Sequence, residues 1–335
     1  MQPSKTAPAD TDLVAALRRR ARGRPTLSFA EFMEVALYEP GVGYYRRDGR
    51  RVGYGAGTDF LTASASAPLF GRLVAAAAAK LLLPASPGAF EFVEIGAEPG
   101  AGVLGGAPHP FRSTRRIGIG EPLRIEGPSV VFSNELFDAQ PFRRFRFRAG
   151  RWRELGVSLS NDPLAETELG EAEPPVELPR AAPEGYRIDA PFAAASLARE
   201  IALQPWTGLF LAFDYGKSWA EIAAECPGGT ARSYRRHALG NDLPSNPGGQ
   251  DLTCHVCWDW LRTALEGSGF PEAHVESQEA FFTRHAGGFI AEVACSEAAR
   301  LGPDKLSLLQ LLHPANLGQR FQALWALRGP AQVPG

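Results

Sequence analysis

Three short apolar segments end on residues able to hold a polar ligand. FEFVEIG ends at Glu94 and Gly96, SVVFSNE at Asn134 and Glu135, and GLFLAFDYG at Asp214. Each is rich in Val, Phe, Leu and Ile and apolar almost throughout, the pattern of strands buried on both faces of a mostly parallel sheet. In open α/β sheets ligands bind beyond the carboxyl ends of the strands, where the strand order reverses. If the three strands are neighbours, their terminal polar groups converge on one crevice. Taken singly, each is equally a solvated strand end.

The elements that would position these residues can be read around them. Ser28 and Glu31 form an S-x-x-E capping box with Leu27 and Phe32 as its hydrophobic staple, which predicts a helix to about Leu37. YEPGVGYY turns the chain, and GYGAGTDFLT reads as glycine-rich loop. A second helix opens near Pro68, runs through LFGRLVAAAAAKLLL and stops at Pro84. FIAEVAC near Phe289 reads as a further strand, and helices are expected over 191–203, 256–267 and 304–327. In the last of these, Leu317, Phe321 and Leu324 recur at helical spacing. Phe145, Phe147 and Ala149 alternate with Arg144, Arg146 and Arg148, a strand with one basic face. That face is either solvated or able to grip an acidic partner. Residues 161–185, rich in Glu and Pro, are expected to be loop, and 142–190 an insertion in the α/β core. The expected organisation is a flexible lead over 1–25 and a single domain over 26–335, with an N-terminal helical part over 26–85.

Composition narrows the classes. The chain has 335 residues, 44% of them hydrophobic, and a formal net charge of −2, so no global basic field is present for nucleic acid. Four cysteines in this length make no disulfide framework. Cys254 and Cys257 form a C-x-x-C without a second pair at zinc spacing. No apolar run approaches the ~20 residues of a membrane span. The N-terminus carries Asp10 and Asp12 and no apolar h-region, which reads as a flexible lead into a short helix and not a signal peptide. Cytoplasm is the expected location.

The motifs also carry a family resemblance. LSFAEFMEVALYEPGVGYY, TDFLT with LFG, FVEIG, SNELFDAQPF, AFDYG, ARSYRRHALGNDLPSNPGGQDLTCHV, QEAFF and LLHPANLGQRFQAL follow in order from about residue 28 to 325. In that order they resemble MidA-like methyltransferases, which assist assembly of respiratory complex I. The resemblance implies a Rossmann-like class I methyltransferase sheet, S-adenosylmethionine as cofactor, and a protein arginine as acceptor, with a respiratory-complex subunit as the kind of partner. It implies a cofactor-binding set of Asp59, Thr62, Glu94, Gly96, Gly100, Glu121 and Asp214. An arginine acceptor stays protonated, and its fork suits a carboxylate. Glu135 and Asp138 fit that role, with Asn134 accepting from the reacting nitrogen; a turn stabilised by Asp and Asn side chains is the alternative. His255 falls on the T-x-H-V of the motif and either lines the crevice or is structural.

The chain departs from the family in its first glycine loop. Where the family resembles E-L-G-x-G-x-G, the residues here are Glu94-Ile95-Gly96-Ala97-Glu98-Pro99-Gly100. Glu98 replaces the middle glycine, and Pro99 removes a backbone donor. AGVLGGAPHP predicts no long helix next, and the family's second strand with its acidic ribose clamp is not found. Glu121 is the nearby acidic stand-in. These departures predict weak or absent cofactor binding. The two leading readings are therefore an S-adenosylmethionine-dependent protein methyltransferase and a non-catalytic relative that serves as a binding or assembly module. Nucleic-acid binding through the Arg/Phe strand is a third, against which the charge argues.

Overall fold

The computed structural model describes residues 11–47, 68–97, 100, 102–170, 175, 177–235, 238–296 and 302–329. Its backbone contacts divide the chain into two units: one from Met1–Phe60, Asp138–Ala195 and Lys217–Cys257, the other from Leu61–Phe137, Ser196–Gly216 and Trp258–Gly335. The stretch 26–85 is therefore shared, its first helix falling in unit 1 and its second in unit 2.

Unit 1 begins with α1 (Thr11–Ala21), the short helix expected within 1–25 after the lead. Leu13 and Leu17, one turn apart, are both fully buried and anchor it. β1 (Thr26–Ser28) leads into α2 (Phe29–Tyr38). The capping box is formed: the Ser28 hydroxyl accepts from the Glu31 amide at 3.2 Å, and the Glu31 carboxylate accepts from the Ser28 amide at 2.9 Å. β5 (Arg143–Arg148), β6 (Arg151–Ser158), β7 (Ala165–Glu168) and β8 (Arg187–Ala190) build an antiparallel sheet with β1, in the order β1-β6-β5-β8 with β7 on β6. β7 thus lies within the expected 161–185 loop. Its four residues are all half-buried, so no alternation marks it in the sequence. A smaller antiparallel sheet of β11 (Arg232–Arg235), β12 (Ala238–Gly240) and β13 (Asp251–Thr253) belongs to the same unit, with α5 (Trp219–Glu225). Its core joins Phe29, Phe32, Met33, Phe142, Val157 and Leu252.

The arginines of β5 all meet carboxylates of neighbouring strands, Arg144 buried and Arg148 still largely exposed. Arg144 is buried between Glu166 at 2.9 Å and Asp189 at 3.5 Å. Arg143 meets Glu154 at 2.6 Å, and Arg146 and Arg148 both meet Glu168. Neighbouring strands supply the opposite charges by cross-strand pairing.

Unit 2 is built on a six-stranded sheet of order β15-β16-β9-β4-β2-β3. β2 (Glu91–Ile95) pairs parallel with β3 (Ser113–Ile117) on one side and β4 (Gly127–Asn134) on the other, and β4 pairs parallel with β9 (Trp206–Asp214). β16 (Gln322–Arg328) runs antiparallel to β9 and to β15 (Ala273–Ser277). α3 (Leu69–Leu81), α7 (Gln278–His285), α8 (Gly287–Ser296) and α9 (Pro303–Leu312) contribute to a core with Phe92, Val130, Phe132, Leu211 and Phe213. Val93, Val131 and Phe210, on the opposite face of the same strands, are buried as well. Burial on both faces is why these strands read as continuous apolar runs. α4 (Phe192–Ala202) and α6 (Trp258–Glu266) fall where helices were expected; β10 (Gly216–Lys217) and β14 (Val256–Cys257) are two-residue strands. No described helix is long and apolar enough to cross a membrane.

Three expectations are corrected here. A strand does follow β2, as β3, an edge strand whose STRRI is polar because one side of the sheet ends there; it closes on Ile117 and not on an acidic residue. FIAEVAC is helical, as α8, with Phe289, Ile290 and Val293 turned to the core. The helix expected over 304–327 ends at Leu312, because a residue before proline is pushed out of the helical region and His313, before Pro314, has ψ 129°. The apolar residues beyond become β16, buried between β9 and β15, where a short all-apolar run looks alike in either conformation.

Candidate active site at the carboxyl ends of β2 and β4

From β2 the sheet grows to β3 on one side and to β4 and β9 on the other. The order therefore reverses between β2 and β4, the place where such sheets bind ligands. Gly96, Asn134, Glu135 and Asp214 all stand at the carboxyl ends beside it.

Gly96 follows β2 with φ +74° and donates its N–H to the Ile117 carbonyl of β3 at 3.0 Å. A Cβ there would lie 2.8 Å from Leu136 Cδ1. Two requirements thus select glycine, a left-handed backbone and a side chain pressed against it. Asn134 closes β4; its Nδ2 donates to Glu135 Oε1 at 3.0 Å. Its Oδ1 is buried with no hydrogen-bond partner among the described residues. Glu135 has φ +51°, unusual for a residue with a Cβ, and donates its N–H to the Phe213 carbonyl at 2.9 Å. Asp214 is fully buried. Its Oδ2 accepts from the Phe137 amide and its Oδ1 from the Tyr215 amide, each at 2.9 Å.

The other candidates fall elsewhere. Glu94 Oε2 accepts from the Val103 amide at 2.8 Å. A Cβ at Gly102, whose φ is +72°, would come within 2.5 Å of that same oxygen. Burial pushes the Glu94 carboxyl up, with the Val103 amide and Arg116 opposing it. Glu121 is exposed beyond the end of β3, its Oε2 accepting from the Gly118 amide at 2.8 Å in a tight turn. Gly100 has φ +139°. Asp59, Thr62, Glu98 and Pro99 lie outside the described residues.

Asp138 is the first residue of the second segment of unit 1 and is buried there, its carbonyl accepting from the Cys254 amide at 3.0 Å. Tyr45 donates to Asp251 at 2.8 Å and Tyr38 to the Ala139 carbonyl at 2.7 Å. Burial, then Asp251 and Asp138 among their neighbours, push both phenols well above their usual value. His255 is held down at about 4 by burial and by Lys217 and Arg232, against the pull of Asp189 and Glu221, so it is neutral at pH 7. Cys254 and Cys257 are buried and not joined in a disulfide, and among the described residues no cluster of His, Cys, Asp or Glu could hold a metal.

Sequence reasoning missed Leu136, which sits over Gly96, and the backbone groups of Phe137 and Phe213 that hold the turn. A leucine in an apolar run and two main-chain groups carry no sequence signal of such a role.

Comparison with known proteins gives a consistent picture. Residues 120–274 match the model of a family described as "Putative S-adenosyl-L-methionine-dependent methyltransferase". A curated relative, "Protein arginine methyltransferase NDUFAF7 homolog, mitochondrial" of Drosophila melanogaster, is 24% identical over a 399-residue alignment covering 96% of this chain and 87% of that protein. A crystal structure from Burkholderia thailandensis, titled a "likely methyl transferase" bound to S-adenosyl-homocysteine, superposes with a TM-score of 0.79 at 26% identity, covering 96% of this chain and 93% of that one. A native structure of an uncharacterised protein from the same organism gives 0.76 at 25%, with the same coverage.

Proposed function

We propose, for a chain whose residues 120–274 match the model of that methyltransferase family, that it is an S-adenosylmethionine-dependent enzyme methylating arginine on a protein. The observation that carries the reading is the end of the unit 2 sheet where Gly96 after β2 meets Leu136 of the turn after β4. This is the switch point of a sheet we read as a Rossmann-like class I methyltransferase core, with β16 as its reversed strand. Gly96 allows the backbone at the end of β2 to approach a ligand, and an unpartnered buried oxygen at Asn134 waits beside it, so the residues fit the cofactor and an N–H-bearing acceptor. Gly96 and Glu121 would hold the cofactor, Glu121 serving as ribose clamp at the end of the strand the sequence concealed. S-adenosylmethionine, when bound, supplies a methyl group on a sulfonium, for whose in-line transfer orientation provides much of the rate.

The chain's own residues do the rest. Glu135 offers a carboxylate to the guanidinium, and the amide bond from Asn134 Nδ2 orients it. Asn134 Oδ1 can accept only a donated hydrogen, which favours a guanidinium over a carboxylate or carbonyl acceptor. Asp138 is the second acidic candidate, on the sequence argument alone. The fly relative's name and the motif order support a protein substrate; a respiratory-complex subunit as that substrate and a cytoplasmic location are further parts of the proposal.

Glu98 and Pro99 in the glycine loop favour the second reading, a fold kept as an assembly module. Calorimetry with S-adenosylhomocysteine separates the two. A dissociation constant in the low micromolar range, about −8 kcal/mol, followed by a methyl mass shift on an arginine peptide, supports the enzyme. No heat at millimolar ligand sinks it and leaves the module.

A further inference from the structure

Asp214 is a fully buried carboxyl for which the proposed reaction has no evident use. It stands at the carboxyl end of β9, fully buried, with one oxygen on the Phe137 amide and the other on the Tyr215 amide. A carboxylate so engaged is poorly placed to bind a cofactor. It is well placed to hold the chain that follows β4. Two ties join that turn to the end of β9: the Glu135 amide to the Phe213 carbonyl, and the Phe137 amide to Asp214, each 2.9 Å. Between the ties, Leu136 is pressed onto Gly96. Within them, Glu135 keeps φ +51°. A residue with a Cβ stays in that region only where its surroundings over-determine it.

We infer, on the methyltransferase reading, that Asp214 is a positioning residue for the acceptor turn and not a cofactor ligand. It holds Phe137, and through it keeps Glu135 strained, so that the Glu135 carboxylate and the Asn134 Oδ1 are aimed together at the nitrogen to be methylated. Without the Phe137 tie, Glu135 can relax to negative φ. Its side chain then swings off Asn134 and the pair is lost, while the loop after β2 keeps its own bond from Gly96 to Ile117.

The test is Asp214→Ala in the full chain, which removes both accepting oxygens and with them the Phe137 tie. Affinity for S-adenosylhomocysteine should change less than threefold, and KM for S-adenosylmethionine should hold. With an arginine peptide, kcat should fall at least tenfold. In a Glu135→Gln background the same change should cost less than twofold, because Asp214 acts through Glu135. A tenfold loss of S-adenosylhomocysteine affinity would make Asp214 a cofactor ligand and overturn the assignment. So would unaltered turnover, or equal losses in both backgrounds. If the variant does not fold, hydrogen exchange on the wild type decides. Phe137 and Tyr215 amides that stay protected when S-adenosylhomocysteine binds support the assignment; their release on binding overturns it. A wild type that binds no S-adenosylhomocysteine at all is a separate result, removing the methyltransferase reading and this role with it.

Discussion

Glu94 turns its carboxylate to the chain's own backbone at Val103. Burial raises its pKa, so the fold disfavours the ionised form, and the sign of the pH effect follows. As pH rises from the ordinary glutamate value, about 4.3, towards the raised folded value, the wild type loses stability it has at lower pH. Glu94→Gln keeps an oxygen for Val103 and removes the charge. The variant's denaturation midpoint should gain on the wild type's across that window and stay ahead at neutral pH; a gap that shrinks as pH rises would refute the burial argument. Gly96 makes a second residue-scale case. Gly96→Ala meets both the positive φ and Leu136 Cδ1 at 2.8 Å, which together should cost about 1–3 kcal/mol in chemical denaturation. Leu136→Ala in the same chain should recover part of it. That Gly96 ends a strand was legible from FVEIG; that it is glycine partly for Leu136 was not, because the contact joins two strand ends 40 positions apart.

Helix α2 was legible at its first residues because its cap is local. Burial works against the charge of Glu31, yet Arg24 and the Ser28 amide and hydroxyl outweigh it and hold the carboxyl at about 2. Ser28→Ala should cost roughly 1 kcal/mol at neutral pH. The part due to Glu31 is present above the ordinary glutamate pKa and is lost as pH falls towards 2, so the difference from wild type should narrow in acid. The C-terminal element was misread because its evidence is not local. Phe321 is 7% exposed and packs edge-on against Tyr215 at 5.6 Å. Phe321→Ala should cost roughly 3–5 kcal/mol, as it would have from a buried helix. Far-UV circular dichroism cannot separate those cases, but backbone chemical shifts over 322–328 can, and helical values there would contradict β16.

Each of the two units has its own core, one around Phe29, Phe142 and Leu252, the other around Phe70, Phe132 and Phe213. Gly96 and Glu121, which would hold the cofactor, both fall within unit 2, so binding should act on that unit's stability. At one hundred times its dissociation constant, S-adenosylhomocysteine should add about 2.7 kcal/mol, read as a rise in the melting temperature that grows with ligand concentration. Amide protection should rise in β2, β3 and β4 with little change in α2. A rise spread evenly over β5 and β6 would place the ligand elsewhere.

The sequence by itself determined the strands that bear the site, because β2, β4 and β9 are apolar on both faces and that pattern survives in one dimension. It also carried the family, through long motifs such as NELFDAQP and NPGGQDLTCHV, and the cap of α2, whose two partners are three residues apart. Only the tertiary structure decided the rest. β3 is polar because it ends the sheet, and β16 is a strand because a gap between β9 and β15 receives it. The arginines of β5 are paired because carboxylates from β6, β7 and β8 come alongside, and Asp214 faces two amides because β9 lies next to β4. In each case the deciding partner is distant along the chain, and hydrogen bonds, edge exposure and burial between distant segments leave no period in the sequence.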